Sequence, residues 1–424
     1  MPVRVTDRDD RWLVTADRVW DGTGAATAPD GFVLVEGGTI AAVGRRADLG
    51  QDLAAKARHL DGVTLLPGLV NAHVHLTFSA SRTVLDDYLR EQAAGVATQT
   101  VRAVDNLGRA LRVGVTTVRD CGTVNEVAFP VRAAVASGLL PGPRVLTSGR
   151  GITTTGGHCW YLSVEADTAD EVRKAVRAQI KAGADLIKVF GTGGNLTPGT
   201  NPLAPQYSVA ELTAAVTEAN RLGRRVAVHA HAAAGIRNAV AAGAHSIEHC
   251  SFETADGIKV DEATLATMAE AGTVAVLTLG ASLVRLVEHP EVIDTLPPDA
   301  QAGVRRLLGH VPQMGAALRS VIGAGVTVVA GSDAGIPMRP FDDFPADLAA
   351  LAHPAVGSGM TPAEVLAAGT VDAARACGLS DTGLLVPGMR ADVLGVAGDP
   401  LRDLTDLTRT RFVACGGRVV RSPW

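Results

Sequence analysis

Residues 65–78 read LLPGLVNAHVHLTF. An apolar run of this length, entered through a Pro-Gly pair, reads as a β-strand. Side chains on a strand repeat every two residues, so His73 and His75 project to the same side. Two neutral imidazoles placed that way can bind one divalent metal. Seven later segments repeat the apolar plan: VTTVRDCG (115–122), RVLTSGR (144–150), DLIKVFG (185–191), RRVAVHAH (224–231), HSIEHC (245–250), TVAVLT (273–278) and VTVVAGSDAG (326–335). Ala-rich helical stretches such as DEVRKAVRAQIKAGA and SVAELTAAVTEANRLG lie between them.

Eight strands in that rhythm predict an α/β chain folded as a parallel (β/α)8 TIM barrel. A doubly wound open sheet is the alternative, which periodicity does not exclude. Placement of polar residues favours the barrel. His73, His75, Lys188, His229, His249 and Asp333 fall at the C-terminal ends of apolar strands. A barrel brings those ends to one mouth, whereas an open sheet spreads them along an edge.

Outside this region the texture is β. WLVTADRVWDG, GFVLVEGGTIAAVGR and ARHLDGVTLLPG at the front are punctuated by Gly and Asp, as are ADVLGVAGDP and RTRFVACGGRVVRSP at the back. The economical reading is a small β-sandwich built by both ends, with the barrel inserted. That gives 1–64 and 379–424 as its two parts and 65–378 as the barrel, although two separate end domains would show the same texture.

The 424 residues suit a barrel plus a smaller domain, and a composition of 47% hydrophobic and 20% charged residues is that of a globular enzyme. Thirty-nine basic against 44 acidic residues leave a formal charge of −5, which offers no general attraction to nucleic acid or an anionic membrane. Cys121, Cys159, Cys250, Cys377 and Cys415 are odd in number and widely spaced, so neither a disulfide framework nor a paired-cysteine zinc motif is expected. The start, MPVRVTDRDDRWLVTADRVWDG, lacks the apolar run of a secretory signal, and no window forms an unbroken apolar span. Cytoplasmic location is the default expectation.

Each polar residue has an ordinary reading beside the functional one. His229 and His231 share strand parity, so the pattern does not choose between them as ligands. Lys188 in an apolar strand reads either as a lysine snorkelling to the mouth or as one whose charge is tuned by burial. Asp333 caps a turn, or binds metal and accepts a proton from an activated water. The set together is far more specific than any one member.

At this point the chain resembles the amidohydrolase superfamily, most closely its binuclear Xaa-Pro and Xaa-Arg dipeptidases, with imidazolonepropionase similar in overall pattern. The matching pieces are LPGLVNAHVHL, GVTTVRDCG, TGGH, IKVFGTGG, VHAHAAAGIRNAVAAGAHSIEHC and GSDAG. The resemblance implies two divalent metals, zinc expected. His73, His75 and Asp333 would hold one, His229 and His249 the other, with a carbamylated Lys188 bridging them. His231 then becomes a supporting or substrate-facing residue. It further implies a bridging hydroxide that attacks the scissile carbonyl, Asp333 as proton carrier, and His158 and Tyr207 as substrate contacts. Arg339, in the loop IPMRPFDDFPADL after Asp333, is a candidate contact for a charged substrate, with a solvated loop charge as the simpler reading. A homo-oligomer is expected on the same ground.

The departures IKVFGTGGN, GGHCW and EHC alter the pocket lip at Asn195 and place Cys159 and Cys250 there as shape-giving thiols. They bear on substrate more than on chemistry. The expected reaction is hydrolysis of an amide-like C–N bond in a small molecule, most simply a dipeptide or N-acyl amino acid. A lactam or imidazolone hydrolase is the near alternative. A lactonase or organophosphate hydrolase and a non-enzymatic metal or small-ligand binder lie further off, and a deaminase resembles a different, mononuclear arrangement.

Overall fold

The computed structural model describes residues 11–24, 26–80, 94–295 and 298–423. The leading ten residues, read above as lacking a secretory signal, lie outside them. Two sheet systems divide the described strands. The first comprises β1 (Arg11–Val19), β2 (Ala28–Glu36), β3 (Thr39–Arg45) and β4 (Arg58–Pro67) from the front of the chain. The barrel strands and their short companions follow: β5 (Leu69–Val74), β6 (Val115–Asp120), β7 (Arg144–Thr147), β8 (Gly151–Thr153), β9 (Ser163–Glu165), β10 (Leu186–Phe190), β11 (Arg225–Ala232), β12 (Ser246–Thr254), β13 (Gly257–Ile258), β14 (Val274–Leu277) and β15 (Val328–Ala330). The back of the chain adds β16 (Val393–Ala397), β17 (Thr410–Cys415) and β18 (Arg418–Arg421).

The two ends form one seven-stranded sheet in the order β18-β17-β16-β4-β1-β2-β3. Its seam is β4 against β16, antiparallel, with Leu66 opposite Leu394. Alternation buries Val14, Val33, Val35 and Phe412 in a single core, so strands from opposite chain ends share one apolar interior.

β5, β6, β7, β10, β11, β12, β14 and β15 are the barrel staves. β5-β6-β7 run parallel, as do β10-β11-β12-β14-β15. Backbone hydrogen bonds join the two arcs: Asp185 N donates to Thr147 O at 2.8 Å, Asp333 N to His73 O at 2.9 Å, and His75 N to Ala334 O at 2.8 Å. Helices pack outside. Ala169–Ala182 and Val209–Arg221 each begin with a capping box, Thr168 with Glu171 and Ser208 with Glu211, which satisfies amide groups the first turn leaves free. Helix Val371–Ala376 covers Val70 and Ala72, leaving Asn71 and His73 on the opposite face of β5. Among the described residues no helix is long and apolar enough to cross a membrane.

Gly114 sits where barrel and end sheet meet. Its φ is +89°, and a Cβ there would lie 2.5 Å from Leu394 Cδ1. Gly114→Ala therefore combines a left-handed backbone penalty with overpacking, and chemical denaturation should record a loss of about 2–4 kcal/mol. An unchanged midpoint would show that this junction is loose.

Candidate metal centre

The mouth of the barrel encloses a cavity of about 280 Å³. His73, His75, His158, His229, His231, His249 and Asp333 face it, together with Lys188 and Arg339. β5 delivers His73 and His75, and the turn after β15 delivers Asp333. Asn71 locks these elements together: its amide donates to Ser332 Oγ at 2.6 Å and its Oδ1 accepts from Ser332 N at 3.0 Å. Gly335 completes the junction, because at φ +103° a Cβ would strike the His75 carbonyl oxygen.

Two clusters result. In the first, His73 Nε2 and His75 Nε2 each lie 3.3 Å from the same Asp333 oxygen. In the second, one potential ligand atom from each of His229, His231 and His249 lies within 4.8 Å of the others. The rings of His73 and His249, 5.1 Å apart, bring the clusters side by side.

Hydrogen bonds at the far ring nitrogens decide which nitrogen faces the cavity. His75 Nδ1 meets the Gly122 carbonyl at 2.9 Å, and a carbonyl only accepts, so Nδ1 carries a proton and Nε2 is the nitrogen left to face the cavity. His73 Nδ1 meets Glu248 Oε2 at 2.7 Å with the same result. His229 is turned the other way: its Nε2 meets Gly193 O at 3.2 Å, which leaves Nδ1 as the bare nitrogen. His249 Nδ1 is held by Thr278 Oγ1 at 2.7 Å, and His231 Nδ1 by Ser251 Oγ at 2.8 Å.

Burial holds His229 and His249 well below the usual histidine range, assisted by neighbouring imidazoles and Lys188. They are neutral donors at ordinary pH. Burial alone would raise the Asp333 carboxyl, but His73 and His75 outweigh it and hold Asp333 well below its ordinary value. Imidazoles anchored at their far nitrogens beside an ionised carboxylate are the donor set a divalent transition metal requires. Asp333 and His249 also adopt left-handed backbone conformations, φ 57° and 71°, as do Cys250 and Phe252. Such strain collects where the surrounding structure enforces an unusual aim.

The expected carbamylated Lys188 bridge is corrected here. Among the described residues, the groups able to hold a metal consist of His, Asp, Glu and Cys, and none includes a lysine. Each mouth cluster closes around three other side chains. Lys188 Nζ is buried without a hydrogen-bond partner among the described residues, 5.2 Å from the centroid of the Phe190 ring. An ammonium has no lone pair to offer a metal.

The other sequence candidates separate. His158 reaches the cavity; burial lowers it to about 3, and its Nδ1 has no hydrogen-bond partner among the described residues. Arg339 lines the cavity, with Nη1 donating to Thr278 O at 3.1 Å. Cys159 and Asn195 also line it. Tyr207 does not: it is buried in the core, and its hydroxyl donates to Ala166 O at 2.6 Å.

Sequence reading missed Arg119 and Glu248. Glu248 accepts from Arg119 Nη2 at 2.7 Å and from Ser246 Oγ at 2.6 Å, besides holding His73. Arg119 Nε also donates to Ala72 O at 2.5 Å. Burial would raise the Glu248 carboxyl, but Arg119 and His73 more than offset it, and it stays far below the usual range. This engagement explains why the grouping of His73, Cys121 and Glu248 is a support and not a third cation site; burial also pushes the Cys121 thiol up to about 12. The available signal was a full charge in the middle of each apolar strand.

Glu248→Gln leaves the Arg119 cation buried without its anion and should cost about 3–5 kcal/mol in denaturant unfolding; a loss under about 1 kcal/mol would refute the strut. A second expectation concerns Asp347, which accepts from Ala281 N at 2.7 Å and so pins the rim helix Ala281–Glu288. Burial pushes its carboxyl up to about 7. The folded state then holds a proton the unfolded chain has released, so stability falls as pH rises from about 4 through about 7. Asp347→Asn should remove up to about 4 kcal/mol of that decline. An identical pH profile for wild type and variant would contradict it.

Residues 64–420 match the Amidohydrolase family model. Ochratoxinase from Aspergillus niger is 31% identical over 421 residues, covering 91% of this chain and 81% of that protein. Its crystal structure superposes with a TM-score of 0.81 at 27% identity, covering 98% of this chain and 97% of the other. A Xaa-Pro dipeptidase structure with bound methionine in its active site gives 0.80 at 27% identity, covering 97% and 100%. Imidazolonepropionase from Paracoccus denitrificans is 27% identical over 416 residues, 90% of each chain. The chain belongs to the amidohydrolase family and is a metal-dependent hydrolase of amide-type C–N bonds.

Proposed function

We propose that this enzyme cleaves the amide bond of a small substrate bearing a carboxylate, a dipeptide or an N-acyl amino acid. One observation carries the reading: both histidine clusters and Arg339 face a single cavity whose remaining wall is largely apolar, through Leu196, Leu283, Leu286 and Ile336. In this reading His73, His75 and Asp333 hold one divalent ion, and His229 and His249 hold a second with His231 beside them. Zinc suits such imidazole and carboxylate donors. A divalent metal supplies Lewis-acid polarisation of a carbonyl and eases deprotonation of water.

The chain's own groups do the rest. Asp333 stays ionised beside His73 and His75, so it takes the proton released by the attacking water and passes it to the departing nitrogen. His158 is neutral and faces the cavity, where it offers a hydrogen bond to the developing oxyanion. Arg339, steadied by Thr278 O, receives the substrate carboxylate as a planar, permanently charged donor. The apolar wall takes the substrate side chain and sheds water from the reacting bond.

Metal-loaded protein should therefore release free amino acids, identified by product mass, from dipeptides or N-acyl amino acids in preference to cyclic amides. Asp333→Asn should lower kcat about 10²–10⁴-fold while the fold is retained. Near-wild-type turnover by that variant would sink the proton-carrier role, and exclusive turnover of cyclic amides would sink the substrate assignment.

A further inference from the structure

Lys188 and Glu253 are charged residues of the cavity wall that the reaction just described does not use. Glu253 lies near the end of β12, on the same strand as His249 and Ser251, and all three line the cavity. Its Oε1 is 3.4 Å from His231 Nδ1, and Ser251 also hydrogen-bonds its carboxylate. Among the described residues no lysine or arginine pairs with it. About a quarter of the side chain remains exposed.

A carboxylate placed so costs desolvation without the return a fixed cation would give. His231 and Ser251 both face the Glu253 carboxylate and hold it in the wall. His231 and Ser251 are themselves bonded to each other at 2.8 Å, which fixes the aim of the group. Arg339, a cation, lines the same cavity. A cavity carrying both an anion and a cation, with apolar surface besides, is complementary to a substrate with both charges.

We infer that Glu253 is a specificity-determining residue that binds a cationic group, the free amine of the acyl portion, so that the enzyme selects zwitterionic amides over their N-blocked counterparts. The inference rests on the amide-hydrolase reading above and narrows its substrate class. The physical reason for selection is one-sided: an N-acetyl group brings no charge to Glu253 and leaves its carboxylate desolvated with no cation from the substrate.

The test uses matched pairs, a dipeptide and its N-acetyl twin, with the metal-loaded full chain. Binding is measured by calorimetry under conditions too short for turnover or at low temperature, and hydrolysis is measured separately. Wild type should favour the free amine by about tenfold or more in Kd and in kcat/KM. Glu253→Gln should collapse that ratio toward one, with the change carried by Kd and KM, and Glu253→Asp should restore part of it. Melting temperature and metal content establish that each variant is folded and loaded. Equal binding of both twins by wild type, or a ratio unchanged in Glu253→Gln, overturns the inference. Absence of hydrolysis with the amine preference intact in calorimetry would instead count against the reaction assigned above and leave Glu253's role supported.

Discussion

Glu248 carries a negative charge inside the barrel with no exposure to solvent. A carboxylate in that position would take up a proton if it were left alone, because burial disfavours the charged form. Arg119 prevents this, and the ionised carboxylate in turn obliges His73 to present its protonated Nδ1 inward and its Nε2 to the mouth. The same guanidinium grips Ala72 O on β5 and Ser246 Oγ on β12. One buried ion pair thus sets both the chemistry of the first ligand and the spacing between the strand bearing His73 and His75 and the strand bearing His249. Such pairs add little net stability against a well-packed apolar alternative, so positioning is the better account of its presence under the site.

Tautomer selection extends that logic around the mouth. Gly122 O and Gly193 O are acceptors only, and each forces the proton onto the nitrogen it meets. Because the carbonyl meets Nδ1 in His75 but Nε2 in His229, these two rings present opposite nitrogens to one space. Side-chain identity alone carries none of this. It arises from where the backbone carbonyls fall, which the strand ends and their left-handed residues determine.

Much of the arrangement was legible in the sequence. His73 and His75 are readable because a strand's period of two admits only one relative placement, and the eight apolar segments announce their own ends. Pairing of the two chain ends was foreshadowed by matching texture, but only the β4–β16 seam with Leu66 opposite Leu394 makes it a single sheet. Glu248 was hidden by its neighbour. On a regular strand adjacent residues face opposite sides, so a functional His249 argues against a functional Glu248. The backbone leaves the regular pleat at His249, with φ 71°, and both residues serve the same centre. Tyr207 failed for the opposite reason: position after a strand indicates nearness to the mouth, but not the direction of a ring whose hydroxyl finds Ala166 O in the core.

Lys188 is the residue whose meaning changed most. Its strand position marks it as belonging to the mouth, and a charge there has to act on something. Burial is the main reason that His158, His229 and His249 resist protonation, and the Lys188 charge reinforces it at all three. A cation among imidazoles keeps their lone pairs free, because each added proton would have to share a poorly solvated space with an existing positive charge. Phe190, with Lys188 Nζ 5.2 Å from its ring centroid, supplies a π-face that tolerates such a charge. The lysine thus acts on the centre through space. It adds to the neutral form that burial already imposes on His158, His229 and His249.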